Sequence, residues 1–182
     1  LGEALRLHKV TLGAFDVTVG PVVNVWGFGP DKSLDDPSPD ALAAAKKKVG
    51  SDKLDLDVSK LTLRKSAADL YVDLSAIAKG YAVDRIAEIL DKADLSSYIV
   101  EIGGEVRARG TNSRGIPWQL GIEKPQEALT QEVALIVGLD NLSMATSGNY
   151  RNFSIRNDGR KVSHSIDART GEPVDQIGRA HV

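Results

Sequence analysis

A hairpin turn signal lies near the end of the chain, inside a stretch that is dense in polar and reactive side chains. The stretch covers residues 143–174, and the turn signal within it is Asn157-Asp158-Gly159. Asn, Asp and Gly tolerate the positive φ angles that tight hairpin turns need. The turn predicts that the polar clusters at residues 145–148 and 163–167 fold back beside each other. Because the stretch has neither helical nor strand periodicity, we interpret it as the floor of an active site.

His164 is the histidine that lies in this polar stretch. Its imidazole is a natural proton acceptor for a hydroxyl, and Asp167, three positions on, is able to orient and stabilise it. Ser147 or Thr146 would supply that hydroxyl in a Ser-His-Asp hydrolase. The Gly-x-Ser-x-Gly elbow of such enzymes is absent, because Thr146-Ser147-Gly148 lacks the leading glycine. The residues alone therefore indicate a site centred on His164 without fixing its reaction.

A second informative stretch, residues 70–81, predicts a strand that runs directly into an amphipathic helix. The exposed N–H groups at the start of such a helix favour phosphate, and Lys79 would add a positive charge. Asp73 could accept hydrogen bonds from a ring or a ribose, or help to hold a cation. The alternative is a surface lysine and an aspartate that caps the helix.

The loop at residues 11–21 is bracketed by Gly and Pro, which break regular structure on both sides. Within it, the Asp16 carboxylate could hold the polar edge of a ligand while Phe15, next to Ala14, packs against a ring. The competing interpretation of Asp16 is a solvated loop aspartate. For Trp26 and Phe28, which follow the loop, we favour packing in the core.

The remaining pattern predicts an α+β domain with a mainly antiparallel sheet, because runs of strands occur with only a few helices. Predicted strands lie at residues 54–58, 61–64, 97–101, 106–109, 116–123 and 132–139, and predicted helices near 3–8, 39–49 and 77–93. Ser38 is the expected N-cap of the second helix, with proline at its first position. Gly103-Gly104 indicates a turn or a close approach of the backbone to another group, with a ligand as one candidate.

Composition narrows the classes of function. The 182 residues are 42% hydrophobic and 26% charged, which suits one well-buried core and a single domain. A formal net charge of −2, with both signs interspersed, argues against nucleic acid as a partner. The absence of cysteine excludes disulfides and thiolate chemistry. The sequence contains no run of about 18 apolar residues, so it predicts no membrane-spanning segment.

Both ends of the chain suggest a piece of a longer protein. It begins at Leu1, inside a helix that is already under way and that contains His8. Residues 176–182, which include His181, match one reading frame of a common sequencing adapter. Our hypothesis is that residues 1–175 form a partial domain and that residues 176–182 are an artefact to be left out of fold reasoning.

At these same residues the sequence resembles the ApbE family of FAD:protein FMN transferases, also called flavin transferases. The motifs occur in the family's order and spacing over nearly the whole chain. They are GAFDVTVGP (13–21), WGFG (26–29), VDLS (72–75), AKGYA (78–82), GGE (103–105), ATSGNYR (145–151) and the SH, ID and RTG pieces within 163–171.

The resemblance implies a T-fold-like α+β domain that binds FAD and, with magnesium, transfers FMN to a Ser or Thr hydroxyl of a target protein, releasing AMP. Phosphoryl transfer needs a positioned nucleophile and a cation that neutralises charge, and magnesium suits oxygen ligands. The resemblance also implies roles for individual residues: FAD contact for Ala14, Phe15, Asp16, Asp73 and Lys79; magnesium binding, through the backbone carbonyl, for Ala76; and general-base catalysis for His164.

Two departures from the family pattern stand out. Ala168 occupies a position where the family usually has proline. The downstream motif that supplies the family's side-chain magnesium ligands is absent, as is an upstream segment with further FAD contacts. We therefore expect the chain as given to bind FAD weakly and to transfer nothing, and the intact parent to be active.

Two alternatives to the transferase stay open. One is a flavin-binding module or carrier without transferase activity, and the other is an FAD pyrophosphatase that gives FMN and AMP with water as the acceptor. The resemblance implies an acceptor protein, such as a subunit of a membrane redox complex. It also implies a periplasmic or cell-envelope location for the full-length protein.

Overall fold

The computed structural model describes residues 1–30, 32–124, 132–148, 153–174 and 178–181, the last range by its backbone alone. The chain forms two compact units, Leu1–Ala76 with Asn152–Gln176, and Ile77–Arg151 with Ile177–Val182. The expectation of one partial domain over residues 1–175 stays a prediction, because compactness does not tell whether a unit folds alone.

Four α-helices lie in the described part of the chain, and one of them begins at the side-chain cap predicted from the sequence. Their bounds are α1 (Gly2–Val10), α2 (Gly20–Val25), α3 (Pro39–Lys47) and α4 (Ser75–Lys92). The N-cap prediction for α3 is confirmed, because the Ser38 hydroxyl accepts a hydrogen bond from Ala41 N at 3.2 Å. The helix ends two residues before the predicted position. The apolar run after Gly20 is helical, with Pro21 in its first turn.

The prediction of a strand immediately before α4 is wrong. Residues 70–74 form no strand, although Leu70 is buried. The backbone N–H of Asp73 donates to Val17 O at 2.7 Å, so the segment bonds to a loop instead of a β-ladder. The helix prediction is confirmed, including its end at Lys92.

The described strands pair only in the antiparallel sense, which confirms the expected α+β class. In the first unit, β1 (Leu54–Asp57) pairs with β2 (Thr62–Lys65), β8 (Phe153–Ile155) with β9 (Lys161–Ser163), and β10 (Ile166–Asp167) with β11 (Glu172–Pro173). The second unit contains β3 (Tyr98–Ile102), β4 (Glu105–Arg109), β5 (Trp118–Glu123), β6 (Val133–Leu139), β7 (Leu142–Gly148) and β12 (Gly178–His181). There, β5 pairs with β6, and the other four form a sheet in the order β12-β7-β4-β3.

The prediction that the polar stretch lacks regular structure is wrong at its start. Residues 142–148 form the strand β7. This strand pairs with β4 on one side and with β12 on the other. Its Met144 is buried in a cluster with Val106, Ala108 and Leu139. Backbone pairing on both sides supports a strand whose side chains are mostly polar or small. Whether residues 176–182 are an artefact stays a prediction.

The hairpin predicted at Asn157-Asp158-Gly159 is confirmed. β8 and β9 pair in the register Phe153↔Ser163, Ser154↔Val162 and Ile155↔Lys161. Gly159 has a φ of +85°, which is the backbone region that favours glycine. Cluster 163–167 belongs to the first unit and cluster 145–148 to the second.

In the first unit, Trp26 packs with Val22, Ala45 and Val162 in a buried hydrophobic cluster, and Val162 belongs to the β8–β9 hairpin. This confirms core packing for Trp26, and Phe28 packs partly buried against the same cluster. Across the described part of the chain, no helix has the length and apolarity that crossing a membrane requires.

Candidate functional site

The loop that follows α1, residues 11–19, is closed by its own hydrogen bonds. The Thr11 hydroxyl donates to Leu7 O at 2.8 Å and accepts from Phe15 N at 3.1 Å. The carbonyl of Ala14 accepts from Ala168 N at 3.4 Å. Ala14 and Phe15 are therefore held in a defined turn, next to the segment that follows His164.

Asp16 lies in the middle of this loop and is buried, with 4% of its side chain exposed. Its Oδ1 accepts from Thr18 N at 2.7 Å, Thr18 Oγ1 at 2.6 Å and Ser51 Oγ at 2.7 Å. Its Oδ2 accepts from Ser51 N at 3.0 Å and lies 3.2 Å from His8 Nδ1. The interpretation as a solvated loop aspartate is wrong. Because a carboxylate has about four lone-pair positions, these contacts saturate it, and its contact with FAD stays a prediction.

Asp16 is ionised in spite of its burial. Burial raises the pKa of the carboxyl, but the hydrogen bonds from Thr18 and Ser51 together outweigh it, so the net pKa lies below its usual value. The loop therefore contains a fixed negative charge that is surrounded by donors.

His8 belongs to the same network, although the sequence analysis left it in a helix without a role. Its Nδ1 lies 3.0 Å from Phe15 O and 3.2 Å from Asp16 Oδ2. Because both neighbours are acceptors, Nδ1 carries the proton in this arrangement. His8 thus bonds α1 to the backbone of Phe15.

His164 follows β9 and is partly exposed. The ring of Phe28 meets its imidazole edge to face, with centroids 6.4 Å apart and an interplanar angle of 69°. The preceding Ser163 is buried, and its hydroxyl accepts from Ser165 N at 3.1 Å. The imidazole is therefore held from one side and still accessible to solution, as proton exchange with another molecule requires.

Asp167 lies in β10, and its carboxylate binds Arg169. The distance from Arg169 Nη2 to Oδ2 is 2.6 Å, and Arg169 Nε and N donate to Oδ1 at 3.0 and 2.9 Å. The hydrogen bond from the Arg169 side chain lowers the pKa of Asp167 below its usual value. The guanidinium balances the charge of this carboxylate, and the proposed orientation of His164 by Asp167 stays a prediction.

The turn after Asp167 is stabilised by contacts from the core. Gly171 N donates to Asp167 O at 2.7 Å, and the indole N–H of Trp26 donates to Gly171 O at 2.8 Å. Ala168 donates its N–H to Ala14 O. A proline at this position would have no N–H to donate, so the bond requires a residue other than proline.

Asp73 caps the start of α4, as the alternative interpretation held. Its Oδ1 accepts from Ser75 N at 2.8 Å and from the Ser75 hydroxyl. Its own N–H donates to Val17 O, which joins the loop at residues 11–19 to the start of α4. A contact between Asp73 and FAD stays a prediction.

The residues described do not form a complete magnesium site. Ala76 is exposed in the first turn of α4 and offers one carbonyl oxygen. Within the described ranges, no group of three or more His, Asp or Glu side chains is placed to hold a metal ion. Magnesium prefers six oxygen ligands, usually with one or two carboxylates among them. The described residues thus give at most a part of the ligand set.

Lys79 lies in the second unit and is half exposed. Its Nζ lies 2.9 Å from Glu105 Oε2 and forms an ion pair with it, although this pair lacks hydrogen-bond geometry. The same Nζ donates a hydrogen bond to Gly103 O at 3.0 Å. Gly103-Gly104 forms the β3–β4 turn with φ angles of +56° and +97°, so the predicted turn is confirmed. The close approach at this turn is that of Lys79, whose charge is balanced by Glu105. Its contact with FAD stays a prediction.

Three partners of Asp16 were not predicted from the sequence, namely Thr18, Ser51 and His8. The Asp-x-Thr spacing of Asp16 and Thr18 is typical of a turn in which the carboxylate accepts from the backbone two residues on. That spacing was a usable signal. Ser51 is 35 residues from Asp16 and carries no local signal.

The chain matches the sequence model of the ApbE family over residues 1–182. It is 51% identical over 177 residues to a Haemophilus influenzae protein named FAD:protein FMN transferase, a match that covers 96% of this chain and 51% of that protein. A Vibrio cholerae protein of the same name is 45% identical over 174 residues, covering 95% and 51% respectively. The solved structure of the flavin transferase ApbE from Vibrio cholerae superposes with a TM-score of 0.83 at 41% identity, over 98% of this chain and 56% of that one. The chain spans about half the length of the relatives it matches.

Proposed function

This chain belongs to the ApbE family, and from that premise we propose that it is part of an enzyme that transfers FMN from FAD to a Ser or Thr hydroxyl of a target protein. The observation that carries the proposal is the 51% identity, over nearly all of this chain, to a protein named FAD:protein FMN transferase. The proposal concerns the protein at the length of these relatives.

The reaction is a phosphoryl transfer between two oxygen atoms. The acceptor hydroxyl oxygen forms a bond to the phosphorus on the FMN side of the FAD diphosphate, and the bond from that phosphorus to the bridging oxygen breaks. AMP leaves with the electron pair of the broken bond, and the hydroxyl proton goes to a base. The acceptor protein then carries FMN through a phosphoester.

His164 is the proposed base that takes this proton. Partial exposure of its imidazole supports the role, because the acceptor hydroxyl arrives from another molecule. Asp167, three residues further on, completes the proposed catalytic pair. Its carboxylate is held by Arg169, so its proposed part is to orient the imidazole from a fixed position.

Ala14 and Phe15 are the proposed contacts for FAD in the first unit. The internal bonds of their loop support this role, since a ligand binds with less ordering cost to a turn that is already formed. The Asp16 carboxylate is saturated by protein donors, so its proposed part is to hold that turn in place. Asp73 and Lys79 complete the proposed FAD contacts.

Magnesium is the second proposed cofactor, and Ala76 is the residue of this chain that would give it a carbonyl oxygen. A divalent cation neutralises charge on phosphoryl groups during transfer. The proposal predicts that a chelator abolishes transfer and that added magnesium restores it.

The test uses the full-length parent protein with FAD, magnesium and a candidate acceptor protein, followed by mass spectrometry of all products. Transfer gives AMP and an acceptor that is heavier by one FMN. Free FMN with AMP, and no modified acceptor, would indicate a pyrophosphatase instead. Unchanged FAD that remains bound would indicate a carrier.

The role of His164 is tested separately. We expect His164→Asn to abolish transfer while FAD still binds, because the amide has a similar size but cannot act as a base at neutral pH. The control is Arg160→Met, at an exposed residue that the proposal places neither in the chemistry nor in the loop that contacts FAD. Transfer retained by His164→Asn would remove His164 from the base role.

The acceptor is proposed to be a protein with an exposed Ser or Thr, such as a subunit of a membrane redox complex. The proposed location of the full-length protein is the periplasm or the cell envelope. Fractionation of cells that express the full-length gene, followed by detection of the protein in each fraction, tests the location.

A further inference from the structure

Arg156, at the end of β8, is a buried arginine to which the proposed reaction assigns no role. Only 1% of its side chain is exposed. Nη1 donates to Ser33 O at 3.0 Å and Nη2 donates to Trp26 O at 2.9 Å. Nε has no hydrogen-bond partner and lies 3.4 Å from Asp36 Oδ1. A buried guanidinium needs its donors satisfied, so these carbonyls fix the position of the chain on both sides of Phe28.

The same guanidinium packs against both aromatic rings of that segment. Its central carbon lies 5.3 Å from the centroid of the Trp26 ring and 5.8 Å from that of Phe28. A cation near a ring face is attracted to it, more strongly when water is excluded. Phe28 in turn meets the imidazole of His164 edge to face. A continuous set of contacts therefore runs from Arg156 through Phe28 to His164.

The loop at residues 33–36 is bonded to the β8–β9 hairpin on the outer side of Arg156. Asn157 N donates to Leu34 O at 3.3 Å. Arg160, which is exposed, forms an ion pair with Asp36. These outer contacts involve neither ring, so they provide a reference for contacts that hold the loop without touching Phe28.

We propose that Arg156 is a positioning residue that sets the orientation of the His164 imidazole through Phe28. The inference rests on the proposed function of His164 for its relevance to FMN transfer, whereas the contacts themselves do not depend on it. Arg156 acts by fixing Phe28 from two backbone carbonyls and from its ring face. It touches no reacting atom, and a lysine cannot replace it fully, because one ammonium cannot serve both carbonyls and a planar stack together.

The first test reads the His164 ring directly by NMR in this chain with labelled histidine. The His164 signals are assigned as those that disappear in His164→Asn. Phe28→Leu gives the chemical shifts of His164 without the ring current of Phe28. We expect Arg156→Met to move the His164 signals toward those of Phe28→Leu, and Arg156→Lys to give an intermediate shift. Arg160→Met is the matched control and should leave the signals in place.

A folded Arg156→Met protein, judged by circular dichroism, whose His164 signals coincide with wild type would overturn the proposal. If Arg156→Met does not fold, Arg156→Lys serves the same comparison, and wild-type His164 signals in that variant would also overturn it.

The second test measures FMN transfer by the full-length parent. We expect Arg156→Met to lower kcat about tenfold or more, with the KM for FAD within about twofold, because small misplacement of a catalytic group has effects of this size. Arg160→Met should change neither constant more than about twofold. An equal loss in both arginine variants would contradict a role specific to Arg156.

The two tests separate the inference from the proposed function. Should His164→Asn retain transfer, the base role would fall, while the NMR comparison would still decide whether Arg156 orients the ring. Should His164→Asn abolish transfer and Arg156→Met leave the ring signals unchanged, the base role would stand and the positioning role would fall.

Discussion

Asp16 carries its negative charge in a place that water hardly reaches, and the donors around it explain how. Thr18, Ser51 and His8 supply five close contacts to the two carboxylate oxygens. Each buried donor that lost its acceptor would cost about 1–3 kcal/mol. Asp16 is therefore the residue on which the conformation of the loop at residues 11–19 depends most.

We predict that Asp16→Asn destabilises the protein by about 2–4 kcal/mol, because the amide NH₂ would face the donors of Thr18 or Ser51. Urea unfolding measures the loss. Asp57→Asn is the matched control, since Asp57 accepts from Ser59 N and Ser59 Oγ in the same local pattern but on an exposed turn. Equal losses in the two variants would contradict the importance of burial at Asp16.

The loss should also depend on pH. The pKa of Asp16 is lower in the folded protein than its value of about 4 in an unfolded chain, so its contribution is complete above that value. The contribution disappears as the pH falls through the folded pKa. We therefore expect the difference between wild type and Asp16→Asn to be constant near neutral pH and to shrink below about pH 4. Unfolding free energies measured at a series of pH values check this.

At the level of single residues, sequence reasoning found the types that carry chemistry but not the contacts they make. His164 stands out because polar residues surround it in the sequence. The burial of Arg156 could not be foreseen, since its partner Trp26 is 130 residues away. A residue in a polar hairpin is usually solvated, and only tertiary packing makes this one an exception.

Among the secondary-structure elements, the β3–β4 turn shows how one side chain and one glycine depend on each other. Gly103 has a φ of +56°, and a Cβ added there would lie 2.9 Å from Lys79 Cδ. Glycine meets both demands, because it accepts the left-handed backbone and leaves room for the lysine stem.

Gly103→Ala should destabilise the protein by about 1–2 kcal/mol from its left-handed backbone, plus an added part from the contact with Lys79. Gly115→Ala provides the backbone cost alone, since Gly115 has a φ of +73° and open space around it. In a Lys79→Ala background, the cost of Gly103→Ala should fall to that of Gly115→Ala. Thermal unfolding of the four variants measures this, and an unchanged cost would rule out the contact as a cause.

Elements with a local cause were predictable, and elements that depend on distant partners were not. Ser38 and Pro39 define the start of α3 by capping chemistry, and Asn157-Asp158-Gly159 defines a turn by its allowed φ angles. β7 has mostly polar or small side chains and becomes a strand because β4 pairs with it. Residues 70–74 have a strand-like pattern but form no strand.

For the whole molecule, the fraction of its relatives' length that this chain covers leads to a prediction about FAD binding. It covers 51% of the Haemophilus influenzae protein. We expect this chain to bind FAD more weakly than the full-length parent and to transfer no FMN with magnesium present. Titration of FAD fluorescence measures binding, and mass spectrometry of an acceptor measures transfer. Magnesium-dependent transfer by the chain alone would contradict the expectation.

The class of the fold was within reach of the sequence, because alternating runs and few helices indicate an antiparallel α+β protein. The division into two compact units was not. The sequence has no linker or change in composition near residues 76 or 151, where the chain passes from one unit to the other. Boundaries of this kind arise from long-range contacts, and these leave no local pattern.

The first unit combines two distant segments of the chain, Leu1–Ala76 and Asn152–Gln176, and this affects folding during synthesis. A ribosome delivers the chain from its N-terminus, so Trp26 emerges long before Arg156, its partner 130 residues later. Closing so long a loop costs entropy before any contact offsets it, and such contacts slow folding. The contacts of Arg156 with Trp26 and Phe28 therefore form only after the hairpin at residues 153–163 has been translated.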